Sequence, residues 1–306
     1  DKELAGRMDE LLMKFGTLYY GFQGGQEAIA ALLPSFVSVL REAGIDFANP
    51  DAVAIAKATI ETLRARDEAL AKNLLEVMQN LGAIRTLEAA SRQRLTSLLE
   101  GFEDARMAPY AAAAGKWEAD KVDEFGPLLT DAALARLDPY QLAQVGGMLF
   151  GILERFEQGA DLIDRAILAQ PDSFKLHYMR GGMTMSRVAR DMAGPDAARH
   201  ASTAVMHFQA AVALRPRSGL ARACLAAAQA MLAVVTKQHQ GFLTAWRTME
   251  SATRVDPESA MTWFFRGDYL RRAPGGNAKA IDACKKALEL DPGFAPARKL
   301  LEELSR

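Results

Sequence analysis

Four histidines and two cysteines are the side chains here best suited to hold a metal or act as nucleophiles. The histidines are His177, His200, His207 and His239, and a seven-residue spacing puts His200 and His207 on one face of a helix. Two imidazoles with no neighbouring acid or thiol do not make a zinc site, which takes three or four ligands. Cys224 and Cys284 lie far apart with no C-x-x-C, so each reads as a small buried apolar group. The glycine-rich "GFQGGQE" (21–27) lacks the G-K-[ST] that cradles phosphates, and "PGGNAK" (274–279) falls where a turn is expected. No H-R-D, D-F-G, G-x-S-x-G or H-E-x-x-H string occurs. The expectation is a chain with no enzyme activity, no catalytic residue, no cofactor and no metal.

With 25% charged residues and a formal net charge of −1, the chain lacks the basic excess by which nucleic-acid binders neutralise phosphates. No nucleic acid is therefore expected as partner. The longest apolar stretch, "CLAAAQAMLAVV" (224–235), is too short to span a bilayer. No signal peptide is visible, and a start at Asp1 rather than methionine reads as an excised or processed piece. A cytoplasmic location is favoured.

The elements that carry these side chains are punctuated by proline. "DRAILAQPDS" (164–173), "QAAVALRPRS" (209–218), "ESATRVDPES" (250–259) and "KKALELDPGF" (285–294) each close an amphipathic helix, at intervals of 45, 41 and 35 residues. Proline cannot continue a helix, because it has no N–H and its ring collides with the preceding turn. Five residues before each proline stands an alanine (Ala166, Ala211, Ala252, Ala287), and three before that a larger side chain (Ile163, Phe208, Met249, Cys284). Four further back lies a small residue (Gly159, Ala204, Ala245, Ala280). This 3–4 spacing forms one helix face on which a neighbouring helix can come close. The helices ahead of these offer Trp263, Gly267 and Leu270 in "TWFFRGDYL" (262–270), Gly181 in "KLHYMRGGMT" (175–184) and Gly147 in "YQLAQVGGMLF" (140–150).

These residues resemble the tetratricopeptide pattern W-x2-L-G-x2-Y…A-x3-F-x2-A-x4-P. The match is fullest at 260–292, good over 174–216 and weaker over 140–171; the unit ending at Pro257 has a first helix without tryptophan or glycine. The extra length of the 45- and 41-residue intervals falls at "RDMAGPDAARH" (190–200) and "VVTKQHQG" (234–241). The resemblance implies an all-α fold: a right-handed α-solenoid over 131–306, preceded by an N-terminal helical region over 1–130. Residues 295–305 resemble the helix that closes such arrays, with Leu300, Leu301 and Leu304 inward and Arg298, Lys299, Glu302 and Glu303 outward.

In the N-terminal half, "QEAIAALLPSFVSVLREAG" (26–44) reads as a helix ended by Gly44 and interrupted at Pro34. Val53, Ala56, Ile60, Leu63, Asp67, Leu70, Leu74, Val77 and Leu81 form a heptad-like seam. It is read either as one long helix of roughly 45 Å or as two helices broken where Asp67 caps the second. Such a seam also allows a homodimer. A further amphipathic run goes from Ile84 to Phe102, and "AGKWEADKVDEFGPLLTDAALARLDP" (114–139) marks a junction. From "LREAGIDFANPDAVAIAKA" through "RLTSLLEGFEDARM" to "QPDSFKLHYMRG", the order of elements is similar to C-terminal regions of certain bacterial serine/threonine protein kinases. That similarity implies a regulatory tail in signalling.

In tetratricopeptide arrays the first helix of each pair lines the concave side. Carried onto this chain, the groove positions are Lys175, Tyr178 and Met185, then Phe264, Asp268, Arg271 and Arg272, with Gln141, Gln144 and Met148 in the earliest unit. Aromatic and basic residues together suit a peptide with an apolar anchor and some acidic character. Family members that clamp a chaperone's terminal carboxylate use lysines and asparagines; Tyr178 and Gly182 stand here instead, so that partner is not expected. The function implied is a non-catalytic scaffold for a peptide or partner protein, with solute binding in the concavity as the alternative.

Overall fold

The computed structural model describes residues 2–21, 29–82, 87–100, 102, 106–271 and 276–305. All regular structure among them is helical, and the chain forms two compact units, Asp1–Asp104 and Ala105–Arg306.

The first unit holds α1 (Lys2–Gly21), α2 (Leu33–Glu42), α3 (Ala52–Arg66), α4 (Glu68–Gly82) and α5 (Ala89–Glu100). Pro34 starts α2 at a position where a missing N–H costs nothing. Residues 26–28 lie outside the described residues. Gly44, at φ 82°, ends the helix in a Schellman pair: its N–H meets the Arg41 carbonyl at 2.9 Å, and Ile45 N–H meets the Leu40 carbonyl at 2.8 Å. The long-helix alternative for the seam does not hold. Asp67 is extended, and its Oδ1 accepts from Leu70 N–H at 3.0 Å, so the side chain starts α4 as a cap. α3 and α4 pack on each other, and Leu70, Leu74, Val77 and Leu81 are buried within the single chain.

The second unit opens with α6 (Ala108–Asp120), a 3-10 turn (Gly126–Leu129) and the short α7 (Asp131–Leu134). The boundary expected between residues 130 and 131 falls inside this unit. The helix ahead of it is tied to the repeats, because Trp117 Nε1–H donates to the Ile152 carbonyl at 2.9 Å. Four hairpins follow: α8 (Pro139–Gly151) with α9 (Phe156–Ala169), α10 (Phe174–Arg190) with α11 (Ala197–Leu214), α12 (Gly219–Val235) with α13 (His239–Val255), and α14 (Ala260–Arg271) with α15 (Asn277–Leu290). Each second helix packs on the next first helix, successive first helices touch, and α16 (Ala295–Leu304) closes the stack on α14 and α15. Leu300 is buried and Leu304 packs on Leu270, Ala280 and Ala283, while Arg298, Lys299, Glu302 and Glu303 face solvent.

The joints share one construction. Before each proline the residue is extended, as the proline ring requires: Gln170, Arg215, Asp256 and Asp291 have φ between −129° and −141°. Two residues after it, Ser173, Ser218 and Ser259 cap the next helix through their hydroxyls on Leu176, Ala221 and Thr262 N–H, at 3.4, 3.1 and 3.2 Å. Six residues after it, a side-chain N–H reaches back to the proline's own carbonyl. His177 does so at 3.0 Å, Arg222 at 2.7 Å, Trp263 at 2.7 Å and Arg298 at 2.7 Å. At the last joint Phe294 replaces the serine and is buried against Phe264 instead.

The seams follow the small residues. Ala166, Ala211, Ala252 and Ala287 are fully buried, and so, to within 1%, are Ile163, Phe208, Met249 and Cys284. Gly181 lies against the Phe208 ring and Gly267 against Cys284 Sγ. In the first hairpin the contact glycine is Gly146, one residue before the Gly147 expected; a Cβ there would stand 2.6 Å from the Gly159 carbonyl oxygen. The extra length of the middle hairpins is helix: α10 to α13 have 17 or 18 residues, against 12 and 14 in the fourth pair. The added turns pack on one another, with Met231, Leu232 and Val235 against Val188, Ala197 and Ala201.

Gly146 and Gly182 make a controlled pair. Gly146→Ala is expected to lower stability by about 1–3 kcal/mol, since backbone oxygen must move to admit the methyl. Gly182→Ala, with nothing within 4 Å of its Cβ, should stabilise by up to about 1 kcal/mol through helix propensity. Urea unfolding midpoints of the two variants check this.

Candidate functional site

The positions expected to line the groove fall in the second and fourth hairpins. Lys175 lies over the Tyr140 ring at 4.0 Å, bridging two successive first helices. Tyr178 is 7% exposed; it stacks on Phe174 at 5.6 Å, meets Phe208 edge-on, and its hydroxyl lies 3.3 Å from Cys224 Sγ. Met185 and Phe264 are 6% and 4% exposed. The rings and the thioether therefore serve mainly as interior packing between hairpins. The polar members are the accessible ones. Asp268 Oδ1 accepts from Arg271 Nε at 2.7 Å, and Arg271 also lies 3.9 Å from Glu303. Arg272 lies outside the described residues. In the earliest unit Gln141 is diverted: it closes a capping box, accepting from Asp138 N–H at 3.0 Å while Asp138 Oδ1 accepts from its own N–H at 2.9 Å. Both this and the Gly146 contact set the register of α8 one residue earlier than expected, bringing Tyr140 level with Lys175.

Beside Lys175 a polar network joins α9, α10 and α11. Arg180, 8% exposed, holds Asp164 with two guanidinium N–H groups at 2.7 and 2.9 Å and also donates to Thr184. His177 and His207 meet through their Nδ1 atoms at 3.1 Å. The Pro171 carbonyl can only accept, so His177 carries its proton on Nε2 and its Nδ1 accepts from His207 Nδ1–H. That leaves His207 Nε2 bare, 4.0 Å from an Asp164 oxygen already bound by Arg180. Burial, then the Arg180 charge, lower the His207 pKa to about 4, against the pull of Asp164. His200 and His207 are both buried on α11, as their spacing on one face suggests, but they turn to different neighbours: His200 sets its ring edge against Phe156 at 5.0 Å. Among the described residues no group of three His, Cys, Asp or Glu side chains could hold a metal ion. Both cysteines are buried and unpaired, and burial pushes Cys224 up to about 12 and Cys284 up to about 11, so the thiols act as packing groups. No helix among the described residues is long and apolar enough to cross a membrane.

The architecture is that of a tetratricopeptide-like α-solenoid. No protein-family model and no curated protein matches the sequence. Among solved structures, the human IFIT1 dimer with PPP-AAAA is similar over 89% of this chain, with a TM-score of 0.55 and 15% identity. This chain spans about 62% of that protein's length. A tetratricopeptide repeat protein from Parabacteroides merdae matches over 98% of this chain and 100% of its own, with a TM-score of 0.44 and 13% identity. Yeast Tom70 matches over 97% of this chain and 64% of its own, with a TM-score of 0.37 and 15% identity.

The His207 environment predicts an acid-labile fold. An unfolded histidine titrates near 6.5, so between that pH and about 4 the unfolded chain takes up a proton that the folded chain refuses. Stability should fall as pH drops through that window, by on the order of 2–3 kcal/mol for this group. His207→Gln should flatten the dependence, as read by urea unfolding at pH 7, 5.5 and 4.5. An unchanged slope would assign the acid sensitivity elsewhere.

Proposed function

We propose that the repeat unit is a non-catalytic interaction scaffold that binds a peptide or partner protein along its first helices. The observation that carries this reading is the division of labour between the helix types. Second helices turn their alanines to the seams, while first helices, beyond their seam glycines, carry polar side chains at the expected groove positions Lys175, Asp268 and Arg271. Tyr178, Met185 and Phe264 are packed into the interior of the same helices and hold them rigid. Two basic groups on such rigid helices suit a ligand of acidic character, and rim charges of this kind govern association rate and selectivity.

A displayed peptide library selected against the intact chain would supply ligands. Lys175→Glu and Arg271→Glu are each expected to weaken binding of the selected peptides by about three- to tenfold, with the loss growing at low salt. Isothermal titration at 50 and 300 mM salt measures this; affinity unchanged in both variants would remove the groove assignment.

A further inference from the structure

A cleft of about 750 Å³ opens where the turn of the first hairpin meets the end of α10, outside the expected groove positions. Its walls include Phe150, Phe156, Arg187, Arg190, Glu154 and Glu157. Arg187 and Arg190, three apart on α10, share one helix face and lie over one ring each: Arg187 over Phe156 at 5.8 Å, Arg190 over Phe150 at 5.4 Å. The rings themselves meet edge-on at 5.8 Å. Both guanidinium planes are thus braced on an apolar wall, which lowers the entropy lost when they bind. Their charges are satisfied differently. Arg190 has Glu154 at 3.5 Å, whereas Arg187 has no carboxylate partner among the described residues. The third arginine of the cleft, Arg155, is held by Asp123.

We propose that this cleft receives an acidic side chain of the protein partner, its carboxylate on Arg187, which the buried Phe156 ring holds in place from behind. The inference rests on the scaffold reading above and adds a second contact point to it. Cleft size is in the range that encloses a few side chains, and a planar guanidinium matches a carboxylate with two parallel hydrogen bonds. Glu154 and Glu157 at the same cleft set the charge class. They leave room for a single negative charge and repel a doubly charged phosphate. His200 provides a built-in reporter, since its ring packs on Phe156. Burial first, then Arg199 and Arg187, lower its pKa, against Glu157 and Asp196. A carboxylate seated on Arg187 offsets that guanidinium and raises the His200 titration midpoint.

The test titrates the intact chain with acetyl-Glu-Phe-Glu-amide and with its uncharged counterpart acetyl-Gln-Phe-Gln-amide, following the His200 ring signals by NMR. The acidic peptide is expected to shift the ring signals and raise the midpoint, and the neutral one to bind about tenfold more weakly or not at all. Arg187→Gln should cost about tenfold in affinity while the thermal midpoint stays within about 2 °C, as for a surface substitution. Glu154→Gln frees Arg190 and should tighten binding, a gain that misfolding cannot mimic. Arg271→Glu should leave this binding unchanged. If Arg187→Gln binds as the parent does, or the neutral peptide binds equally well, the assignment fails. Binding weakened by Arg271→Glu but not by Arg187→Gln would leave the groove reading standing alone. Phenylacetate or inorganic phosphate binding more tightly than the acidic peptide would overturn the partner assignment in favour of a small anion.

Discussion

The whole stack depends on a carbonyl oxygen that has lost its helical donor. Proline ends each second helix, and the peptide that follows turns sharply, so the proline carbonyl would face the next helix unbonded. In all four joints the side chain six residues on supplies the missing N–H, through an imidazole, a guanidinium, an indole and again a guanidinium. Such a bond contributes about 0.5–1.5 kcal/mol. Its larger effect is geometric, because it fixes the first turn of the incoming helix against the turn it has just left. The serine cap at three of the joints fixes the same turn from the other side.

With the joints set, the seams decide how closely the rods approach. Hairpins here bury glycine or alanine opposite a bulkier side chain, and the pairs differ in how the volume is shared. Gly181 takes the full Phe208 ring, Gly267 the smaller Cys284, and in the first hairpin two glycines bring backbone against backbone. Packed interiors tolerate little change in volume, so each pair is specific to its level in the stack. The longer middle helices add a second layer of contact at their far ends, around Val188 and Val235, which compensates for the poorer consensus of the third hairpin.

Polar side chains then occupy what the seams leave. Arg180 is drawn inside by Asp164 and orders His177 and His207 around it, whereas Arg187 and Arg190, seven and ten residues later on the same helix, emerge onto two phenylalanine rings. One helix thus carries a satisfied internal network and an incompletely satisfied surface one. The second is the one we propose for a partner's charge, because a guanidinium already braced and lacking a carboxylate loses little on binding.

The amino-acid sequence by itself determined the all-helical class, the proline joints, the inward face of each second helix and the closing helix, since these follow from local chemistry: a missing N–H, a 3–4 spacing, a polar outer side. It also carries an N–H donor six residues after each joint proline, Pro171, Pro216, Pro257 and Pro292. It left open whether Asp67 breaks the seam, because a cap and a heptad interruption look alike until the backbone turns. The register of α8 was set by Gln141 closing on Asp138 and by Gly146 meeting Gly159. The interior fate of Tyr178, the pairing of His207 with His177, and the cleft at Arg187 join residues 30 or more apart. Contacts of that range depend on which rods lie side by side, and only the packed tertiary structure fixes that, because the burial that selects it belongs to the whole stack rather than to any one segment.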